Sequence, residues 1–354
     1  MIKTKTNPGN YFEDFRLEQE IVHATPRTVS HGDTALYTGL YGVRFAVNSS
    51  SEFARHIGLP SAPLDDILAF HMVFGKTVPD ISLNAVANLG YAEGRFGDPV
   101  YPGDTLATTS KVIGLRQNKD GKSGVVYVRS TGVNQRGAMV LDYCRWVMVR
   151  KRDEAAPAPE PVVPTLAEAV AVDQLIVPAN LELGGYNRVL AGSPATWEDY
   201  ETGEKIDHVD GMTIEEAEHM IATRLYQNTA KVHFDQLMQK GSRFGQRLIY
   251  GGHIISLARS LSFNGLANAF KVAAINGGRH VAPTFAGNTI YAWTQVTEKH
   301  PLPGRGDVGA LRLRTIATKD KPCAEFPLMT AEGTYDPAVV LDLDYTVLVP
   351  RSVA

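Results

Sequence analysis

A side-chain amide and a histidine lie five residues apart in the second half of the chain, within the stretch LYQNTAKVHFD that ends at Asp235. They are Asn228 and His233, and a Gly-Gly pair at 251–252 opens an apolar helical pattern shortly afterwards. An imidazole can move a proton near neutral pH, and an amide can orient water. Free N–H groups at a helix start can bind an oxygen that gains negative charge. Together these groups are what the addition of water to an activated double bond requires.

Composition narrows the classes of protein that need to be considered. The 354 residues are 44% hydrophobic and 21% charged, with a formal charge of −3, so the chain can bury real cores and lacks the basic excess of a nucleic-acid binder. No apolar run approaches the ~18 residues of a membrane span, and the first residues do not resemble a secretory signal. The two cysteines are far apart, which argues against a disulfide scaffold. We expect a cytoplasmic protein that contacts neither membranes nor nucleic acids.

A Pro/Ala-rich connector divides the chain into two arms of similar length. The stretch KRDEAAPAPEPVVP at 151–164 is typical of an extended linker, and turn signals continue to about residue 195. We therefore predict a domain at 1–152, a linker at 153–195 and a second domain at 196–354. The length prior of two domains agrees with this division.

The two arms match each other at a nearly constant spacing, which predicts a duplicated domain. FEDF at 12–15 corresponds to WEDY at 197–200, and Tyr41 corresponds to Tyr226, at an offset of 185. Further along the offset becomes 184, where GR at 94–95 meets GR at 278–279 and Pro99 meets Pro283. Glycines and prolines at shared turn positions are difficult to attribute to chance.

Each arm is predicted to contain two helices followed by a run of antiparallel strands. In the second arm Thr213 and Glu216 fit a capping box, and an apolar helix over 252–263 ends at Asn264-Gly265. Alternating residues such as those at 125–131 suit a sheet with one buried face. The simplest packing wraps the sheet around the second helix, which is α+β architecture. The predicted strands are 82–92, 105–115, 124–133, 139–149, 270–276, 289–297, 309–317 and 339–349.

These motifs resemble the MaoC-like hydratases of the hot-dog fold, a family that includes (R)-specific enoyl-CoA hydratases. The family signature runs Gly-Asp-x-Asn-Pro-hydrophobic-His-x-Asp, then a Gly-containing turn into a central helix, then Arg-Phe-x-x-Pro-Val-x-Pro-Gly-Asp-Thr. The last piece is RFGDPVYPGDT at 95–105 and RHVAPTFAGNT at 279–289. The resemblance covers about 300 residues. It implies a tandem, double hot-dog fold, with antiparallel sheets each wrapped around a central helix.

The catalytic residues of the family carry over unevenly onto the second arm. His233 falls on the catalytic histidine, and Gly252 falls on the glycine whose N–H would polarise the thioester carbonyl. The catalytic aspartate falls on Asn228, which cannot accept a proton. Either Asn228 only orients water and His233 alone is the acid and base, or Asp235 takes the carboxylate's part. The alternatives are a loop brace for Asn228 or Asp235, and a helix-start glycine needed for packing at Gly252.

The first arm has lost the constellation. Val43 stands at the aspartate position, Asn48 at the histidine position and Asp66 at the glycine position. An aspartate at that last position would repel a developing enolate. We expect this arm to be non-catalytic and to supply the partner half of the fold and space for the acyl-CoA.

The resemblance implies reversible hydration of a 2-enoyl-CoA thioester, with a mesaconyl-type substrate (2-methylfumaryl-CoA, giving β-methylmalyl-CoA) the leading expectation. The carboxylate of such a substrate would need a guanidinium. Arg224, Arg243 and Arg247 flank the motif as candidates, although each could equally be a surface arginine. Tyr250 and Gly251 complete the expected substrate-binding set.

Other activities and other substrates stay open at this point. Another enoyl-CoA, a thioesterase and a non-catalytic acyl-CoA-binding protein are the alternatives, because fold does not fix function. No nucleotide-binding or zinc spacing is present in the sequence. We therefore expect no metal and no cofactor apart from the CoA of the substrate, and a homodimer or higher homo-oligomer.

Overall fold

The architecture is one antiparallel sheet that encloses two central helices, seen in a computed structural model that describes residues 5–352. The α-helices are α1 (His31–Tyr41), α2 (Ala46–Ser49), α3 (Ser51–His56), α4 (Asp66–Thr77), α5 (Arg188–Ala191), α6 (Glu216–Leu225), α7 (Gln236–Gln239), α8 (Gly251–Leu261) and α9 (Phe263–Leu266). The strands are β1 (Glu20–Thr28), β2 (Ala85–Phe96), β3 (Thr105–Gln117), β4 (Ser123–Val133), β5 (Met139–Arg150), β6 (Lys205–Asp207), β7 (Met212–Thr213), β8 (Lys271–His280), β9 (Thr289–Leu302), β10 (Arg305–Lys319) and β11 (Val339–Pro350).

The strand order joins the two arms edge to edge. It runs β1-β3-β4-β5-β2-β8-β11-β10-β9-β6, and β7 pairs with β9. The four long strands of each arm are consecutive in this order, and β2 pairs with β8 at the junction. All eight predicted strands are present, most of them longer than predicted by a few residues. We expected a separate sheet in each arm. In the structure the two sheets are continuous, because β2 of the first arm pairs with β8 of the second.

The helices α4 and α8 lie at the centre because their sequences are apolar all round. Eleven of the twelve residues of α4 are buried, and so is every residue of α8 after Gly251. The helix α8 ends at Leu261, two residues before the predicted end at 263, and the predicted stop at Asn264 and Gly265 is a break in helical conformation within α9, where Gly265 has a φ of 105°. The buried residues of both helices belong to one hydrophobic cluster that spans both arms.

Equivalent residues of the two arms meet across a pseudo-two-fold axis. The Tyr226 hydroxyl contacts that of Tyr41, 185 positions earlier, and His71 Nε2 lies 2.9 Å from Ser256 Oγ, its counterpart at the same offset. At the β2–β8 junction Tyr91 pairs with Gly278 and Gly94 pairs with Ile275. At the offset of 184, Ile275 is the counterpart of Tyr91 and Gly278 is the counterpart of Gly94, so the two pairs are related by the same symmetry. The repeat seen in the sequence is therefore the symmetry of the fold.

Two local features differ from expectation or add to it. The capping box at Thr213 and Glu216 is wrong: Thr213 belongs to β7, its hydroxyl contacts Thr289, and α6 begins without a side-chain cap. The reason is that β7 pairs with β9, which holds Thr213 outside the helix. The connector after β5 contains only helical turns of three or four residues, and Val162 within it bridges to Leu115. It packs against the sheet, and the domain boundaries stay a prediction.

Candidate active site

The loop that follows α6 carries the amide and the histidine, and the central helix of the first arm supports it. Gln227 adopts a φ of 54°, a conformation that costs energy for a residue with a side chain, and its amide oxygen accepts a hydrogen bond from Lys76. A Cβ on Gly75 of α4 would lie 1.9 Å from the carbonyl oxygen of Tyr226. Glycine at position 75 therefore allows the loop to approach α4 closely.

His233 is held in one tautomer with one nitrogen available. The side chain is 8% exposed, and its Nδ1 lies 2.7 Å from the carbonyl oxygen of Leu248. A carbonyl can only accept, so Nδ1 carries the proton and Nε2 is the basic nitrogen. Burial lowers the pKa of His233 to about 4, partly offset by this hydrogen bond. Because the ring is removed from water, it is neutral at pH 7 and can act as a base.

Asn228 is also oriented by the backbone of its own loop. It is 2% exposed, and its Oδ1 accepts a hydrogen bond of 3.0 Å from the N–H of Ala230. The carbonyl of that same Ala230 accepts from the backbone N–H of His233, which links the Asn228 side chain and the His233 backbone through one residue. With Oδ1 engaged, the amide offers Nδ2 as a donor. The amide oxygen Oδ1 therefore braces the loop, as one of the alternatives for Asn228 expected. The amide nitrogen Nδ2 remains available to donate a hydrogen bond to an oxygen of water or substrate.

The start of α8 presents two backbone donors beside the histidine. Tyr250 is the N-cap residue, and its ring lies 5.6 Å from that of His233, measured between centroids. The N–H of Tyr250 donates to Nε2 of His219, and that of His253 donates to the Tyr250 carbonyl. Within residues 5–352 the N–H groups of Gly251 and Gly252 have no partner. The ring of His233 thus packs against the N-cap residue of a helix whose first two N–H groups are free, at the positive end of the helix dipole.

Rings from both arms pack against the two glycines, which explains why no side chain fits there. A Cβ on Gly252 would lie 2.3 Å from the ring of Tyr250 and 2.5 Å from that of His71, and a Cβ on Gly251 would lie 2.5 Å from the ring of His280. His280 stands where the family's Arg-Phe motif has phenylalanine, a departure that is visible in the sequence. His71 carried no comparable signal, since it lies within an apolar helix of the arm expected to be inactive.

The first arm repeats this geometry without its chemistry. Asn48, at the histidine position, donates to the carbonyl of Leu64 as His233 does to Leu248. Helix α4 begins at Asp66 and helix α8 begins at Gly251, which is an offset of 185 residues. At this offset Gly252 corresponds to Ile67 and not to Asp66. The assignment of Asp66 to the glycine position is therefore wrong by one residue, because α4 and α8 keep the earlier offset.

Asp66 has a structural role at the contact of the two arms. Its carboxylate lies 2.9 Å from Nζ of Lys271 and also accepts from the N–H of Val272. Both side chains of this ion pair are largely buried. The pair fixes the start of α4 onto the first residues of β8.

The remaining predicted residues lie in various surroundings. Asp235 is exposed and caps α7 through the N–H of Met238, as the bracing alternative requires.

Arg224 is exposed, and Arg243 is exposed and stacks on Phe244. Arg247 is partly buried, forms an ion pair with Glu216 and retains a buried Nε without a partner. Of the three arginines, Arg247 lies nearest the site, since its charge acts on His219.

Residues 5–352 contain neither a membrane-spanning helix nor a cluster of metal-binding side chains. No helix in this part of the chain is long and apolar enough to cross a membrane. Nor do the described residues contain a group of three or more His, Cys, Asp and Glu side chains that could hold a metal ion.

Comparison with known proteins agrees with this fold and site. A family model described as mesaconyl-CoA hydratase matches residues 2–326. The chain is 69% identical over 350 residues, 99% of either chain, to a beta-methylmalyl-CoA dehydratase from Chloroflexus aurantiacus. A solved structure of a MaoC domain protein dehydratase from the same organism superposes with a TM-score of 0.97, at 69% identity, covering 99% of this chain and all of the other.

A more distant structure defines the architecture independently. A double hot-dog protein from Mycobacterium tuberculosis superposes with a TM-score of 0.76 at 24% identity, covering 96% of this chain and 98% of the other. Fold and site together define a hydro-lyase of the MaoC-like, double hot-dog class, as the sequence predicted. Within this class, the chain belongs to the mesaconyl-CoA hydratase family.

Proposed function

We propose that the protein catalyses the reversible hydration of mesaconyl-C1-CoA (2-methylfumaryl-CoA) to β-methylmalyl-CoA. The observation that carries this proposal is the position of His233, with Nε2 free, beside the unpaired N–H groups of Gly251 and Gly252. The names of its relatives support the substrate, since one is a beta-methylmalyl-CoA dehydratase and the matching family is mesaconyl-CoA hydratase.

The reaction begins with the thioester carbonyl at the start of α8. Water adds to the β carbon, and the electron pair of the double bond moves towards the carbonyl oxygen to give an enolate. The N–H groups of Gly251 and Gly252 bind that oxygen where its charge develops, and the dipole of α8 adds to the effect. A proton then goes to the α carbon and restores the thioester.

His233 is the group that moves the proton. Its Nε2 takes a proton from water as the bond to the β carbon forms, and the imidazolium that results can return a proton to the α carbon. Because Asn228 donates through Nδ2, it holds the water oxygen and leaves the proton to the histidine. This assignment favours the first of the two alternatives for the missing aspartate. Asp235, occupied at the start of α7, takes no chemical step.

An assay of two signals tests the function and separates it from its alternatives. Hydration removes the ultraviolet absorbance of the enoyl thioester without releasing a thiol, hydrolysis releases the thiol, and simple binding does neither. We expect the wild type to hydrate mesaconyl-C1-CoA, and His233→Ala to lose about 10²–10⁴-fold in kcat. The matched control is His56→Ala, which alters an exposed histidine on α3. Thiol release, or a rate unaffected by His233→Ala, contradicts the proposal.

The chemistry proposed here needs no metal or cofactor apart from the CoA of the substrate. Activity that survives chelation and gel filtration is the expected result. The buried free thiols of Cys144 and Cys323 suit a reducing compartment, which supports a cytoplasmic location. We further propose assembly as a homodimer or larger homo-oligomer, which sedimentation of the full chain would measure.

A further inference from the structure

Arg145 is a buried arginine that lacks a counter-ion. It lies on β5 with 1% exposure, and its Nη2 donates to the hydroxyls of Thr77 and Ser82. Its Nε and Nη1 are buried without any partner, and it forms no ion pair within residues 5–352. A guanidinium stays charged at any physiological pH, so burying it without a carboxylate is costly. A bound anion would remove that cost.

Its position on the sheet places Arg145 on the face that covers the helices. Its guanidinium lies 4.3 Å from the ring centre of Phe74, a residue of α4. Directly opposite Arg145 on β2 is Tyr91, and two residues before it on β5 is Tyr143, whose hydroxyl is also buried without a partner. One arginine and two tyrosines therefore form a polar patch inside an otherwise apolar core.

Two lines of contact connect this patch to the start of α8. The ring of Phe74, against which Arg145 stacks, lies 5.7 Å from the ring of Tyr250, the N-cap residue. The hydroxyl of Tyr91 lies 3.1 Å from Nε2 of His280, whose ring packs against Gly251. Only one ring separates the guanidinium from the helix start that bears the two free donors.

The corresponding place in the second arm lacks this polar character. At equivalent positions of the β-sheet registers, Ile275 replaces Tyr91 and Tyr345 replaces Arg145. That arm also has a buried arginine, Arg259, but its guanidinium donates to the carbonyl of Ala269 and the hydroxyl of Ser262. The buried guanidinium without a partner for two of its nitrogens is therefore a feature of the first arm that its repeat does not share.

We propose that Arg145, together with the hydroxyls of Tyr91 and Tyr143, binds the free carboxylate of a dicarboxylic enoyl thioester. This inference rests on the proposed function and specifies how its substrate is selected. A trans-butenedioyl chain carries its carboxylate and its thioester at opposite ends of one double bond. A site for it needs a cation on the far side of the reacting carbons from the N–H groups of Gly251 and Gly252. Arg145 supplies that cation, and its Nε and Nη1 are the donors left free to bind a carboxylate oxygen.

A pair of substrates that differ only in this carboxylate tests the assignment. The first is 2-methylfumaryl-CoA, and the second is 2-methylcrotonyl-CoA, in which a methyl group replaces the carboxylate. We expect the wild type to prefer the first by at least about 100-fold in kcat/KM, because the analogue leaves the guanidinium unpaired. Arg145→Met should lower kcat/KM for the first substrate by about 100-fold or more and change that for the second by less than about threefold. Arg145→Lys should be intermediate, since it keeps the charge without the planar fork.

Saturated thioesters give a second measurement that does not depend on turnover. Calorimetry should find that the wild type binds succinyl-CoA more tightly than butyryl-CoA, and that Arg145→Met abolishes the difference. The matched control is Arg129→Met on β4, where the arginine pairs with Asp142 and Glu93 and should leave both ratios unchanged.

The outcomes separate this inference from the proposed function. Equal losses on both substrates in folded Arg145→Met would give the arginine a structural role only and overturn the inference. A wild type that hydrates both thioesters equally well would do the same while leaving the hydratase activity intact. A wild type that hydrates neither overturns the proposed function, and the succinyl-CoA to butyryl-CoA ratio then decides on Arg145 by itself.

Discussion

The hydroxyl of Tyr226 donates a hydrogen bond of 2.7 Å to the hydroxyl of Tyr41, its counterpart in the other arm. Tyr41 in turn contacts Nδ1 of His253, at the start of α8. Both tyrosines are fully buried. The first arm thus packs against the start of α8 in the second arm through buried, hydrogen-bonded side chains, and it forms one wall of the candidate site.

The contact of Gly75 with the catalytic loop gives a first prediction. Gly75→Ala places a Cβ 1.9 Å from the carbonyl of Tyr226, so the loop that holds Asn228 must move. We expect kcat to fall by about 10²-fold, since displacements of about 1 Å at a site have this effect. Steady-state kinetics with the enoyl thioester measures it. The control is Gly39→Ala on α1, where no atom lies within 4 Å of the added Cβ and a small gain in stability is expected. Equal kinetics for both variants would contradict the prediction.

The sequence predicted those parts of the fold that depend on local patterns. Strand alternation, the apolar central helix of the second arm and the repeat offset were all readable, because they follow from period and turn chemistry. Arg145 and His71 were not readable as site residues, because nothing in their surrounding sequence distinguishes them from core positions. They reach the site through the β2–β8 junction and the pseudo-two-fold axis, which are relations between distant segments. The low pKa of His233 was likewise missed, since burial by Tyr250 and its neighbours is a tertiary property.

Replacing Asn228 decides how the enzyme functions without the family's aspartate. Asn228→Ala removes the donor that holds water and should lower kcat by about 10-fold to 100-fold. Asn228→Asp places a carboxylate on the loop of His233 and should raise the pKa of the imidazole by stabilising its charged form. The acid limb of the kcat/KM profile, expected near pH 4 in the wild type, should therefore move to higher pH. A limb that stays in place in Asn228→Asp would mean that the two side chains do not act together.

Gly252 gives a direct test of the N–H donors at the helix start. Gly252→Ala puts a Cβ 2.3 Å from the ring of Tyr250, so the first turn of α8 must shift away from the carbonyl oxygen. Loss of one such donor costs about 3 kcal/mol in the barrier, which is about 10²-fold in kcat. Gly306→Ala, on β10 with open space around the added Cβ, is the matched control. If Gly252→Ala raised KM alone and left kcat unchanged, the donors would bind substrate and transition state equally.

The ion pair of Asp66 and Lys271 predicts a loss of stability without a loss of chemistry. Lys271→Met leaves a largely buried carboxylate without its counter-ion and should lower the free energy of unfolding by about 3 kcal/mol. Asp66→Asn combined with Lys271→Met removes both charges and should recover most of this loss. Urea denaturation measures the free energies, and kcat at 25 °C should stay within about twofold for every folded variant. A large fall in kcat would place the pair in the active site.

Six buried histidines predict that the fold weakens in mild acid. Burial lowers the pKa of His71, His208, His219, His233, His253 and His280, to about 4 for His208, His233 and His280. Above about pH 7.5 these rings are almost entirely neutral in both the folded and the unfolded chain, so their protonation does not make stability depend on pH. At lower pH the histidines become protonated in the unfolded chain, whereas in the folded chain they stay neutral. The free energy of unfolding should then fall as pH decreases towards 4, by up to about 1.4 kcal/mol per pH unit for each histidine.

The slope of the free energy of unfolding against pH reports the protonation of these histidines. It separates their protonation from any loss of stability that a substitution causes at every pH. Urea denaturation at pH 8.5, 7.5, 5.5 and 5.0 should give a nearly level free energy at the first two values and a steep decline at the others. His208→Gln removes one ring, which lies outside the site and contacts Asn264 and Thr294, and should reduce the slope by up to about 1.4 kcal/mol per unit whatever its own cost in stability. His56→Gln alters an exposed ring and should leave the slope unchanged. A free energy that stays level down to pH 5 would mean that these rings take up protons in the folded protein, and His233 could then not be the neutral base that hydration requires at that pH.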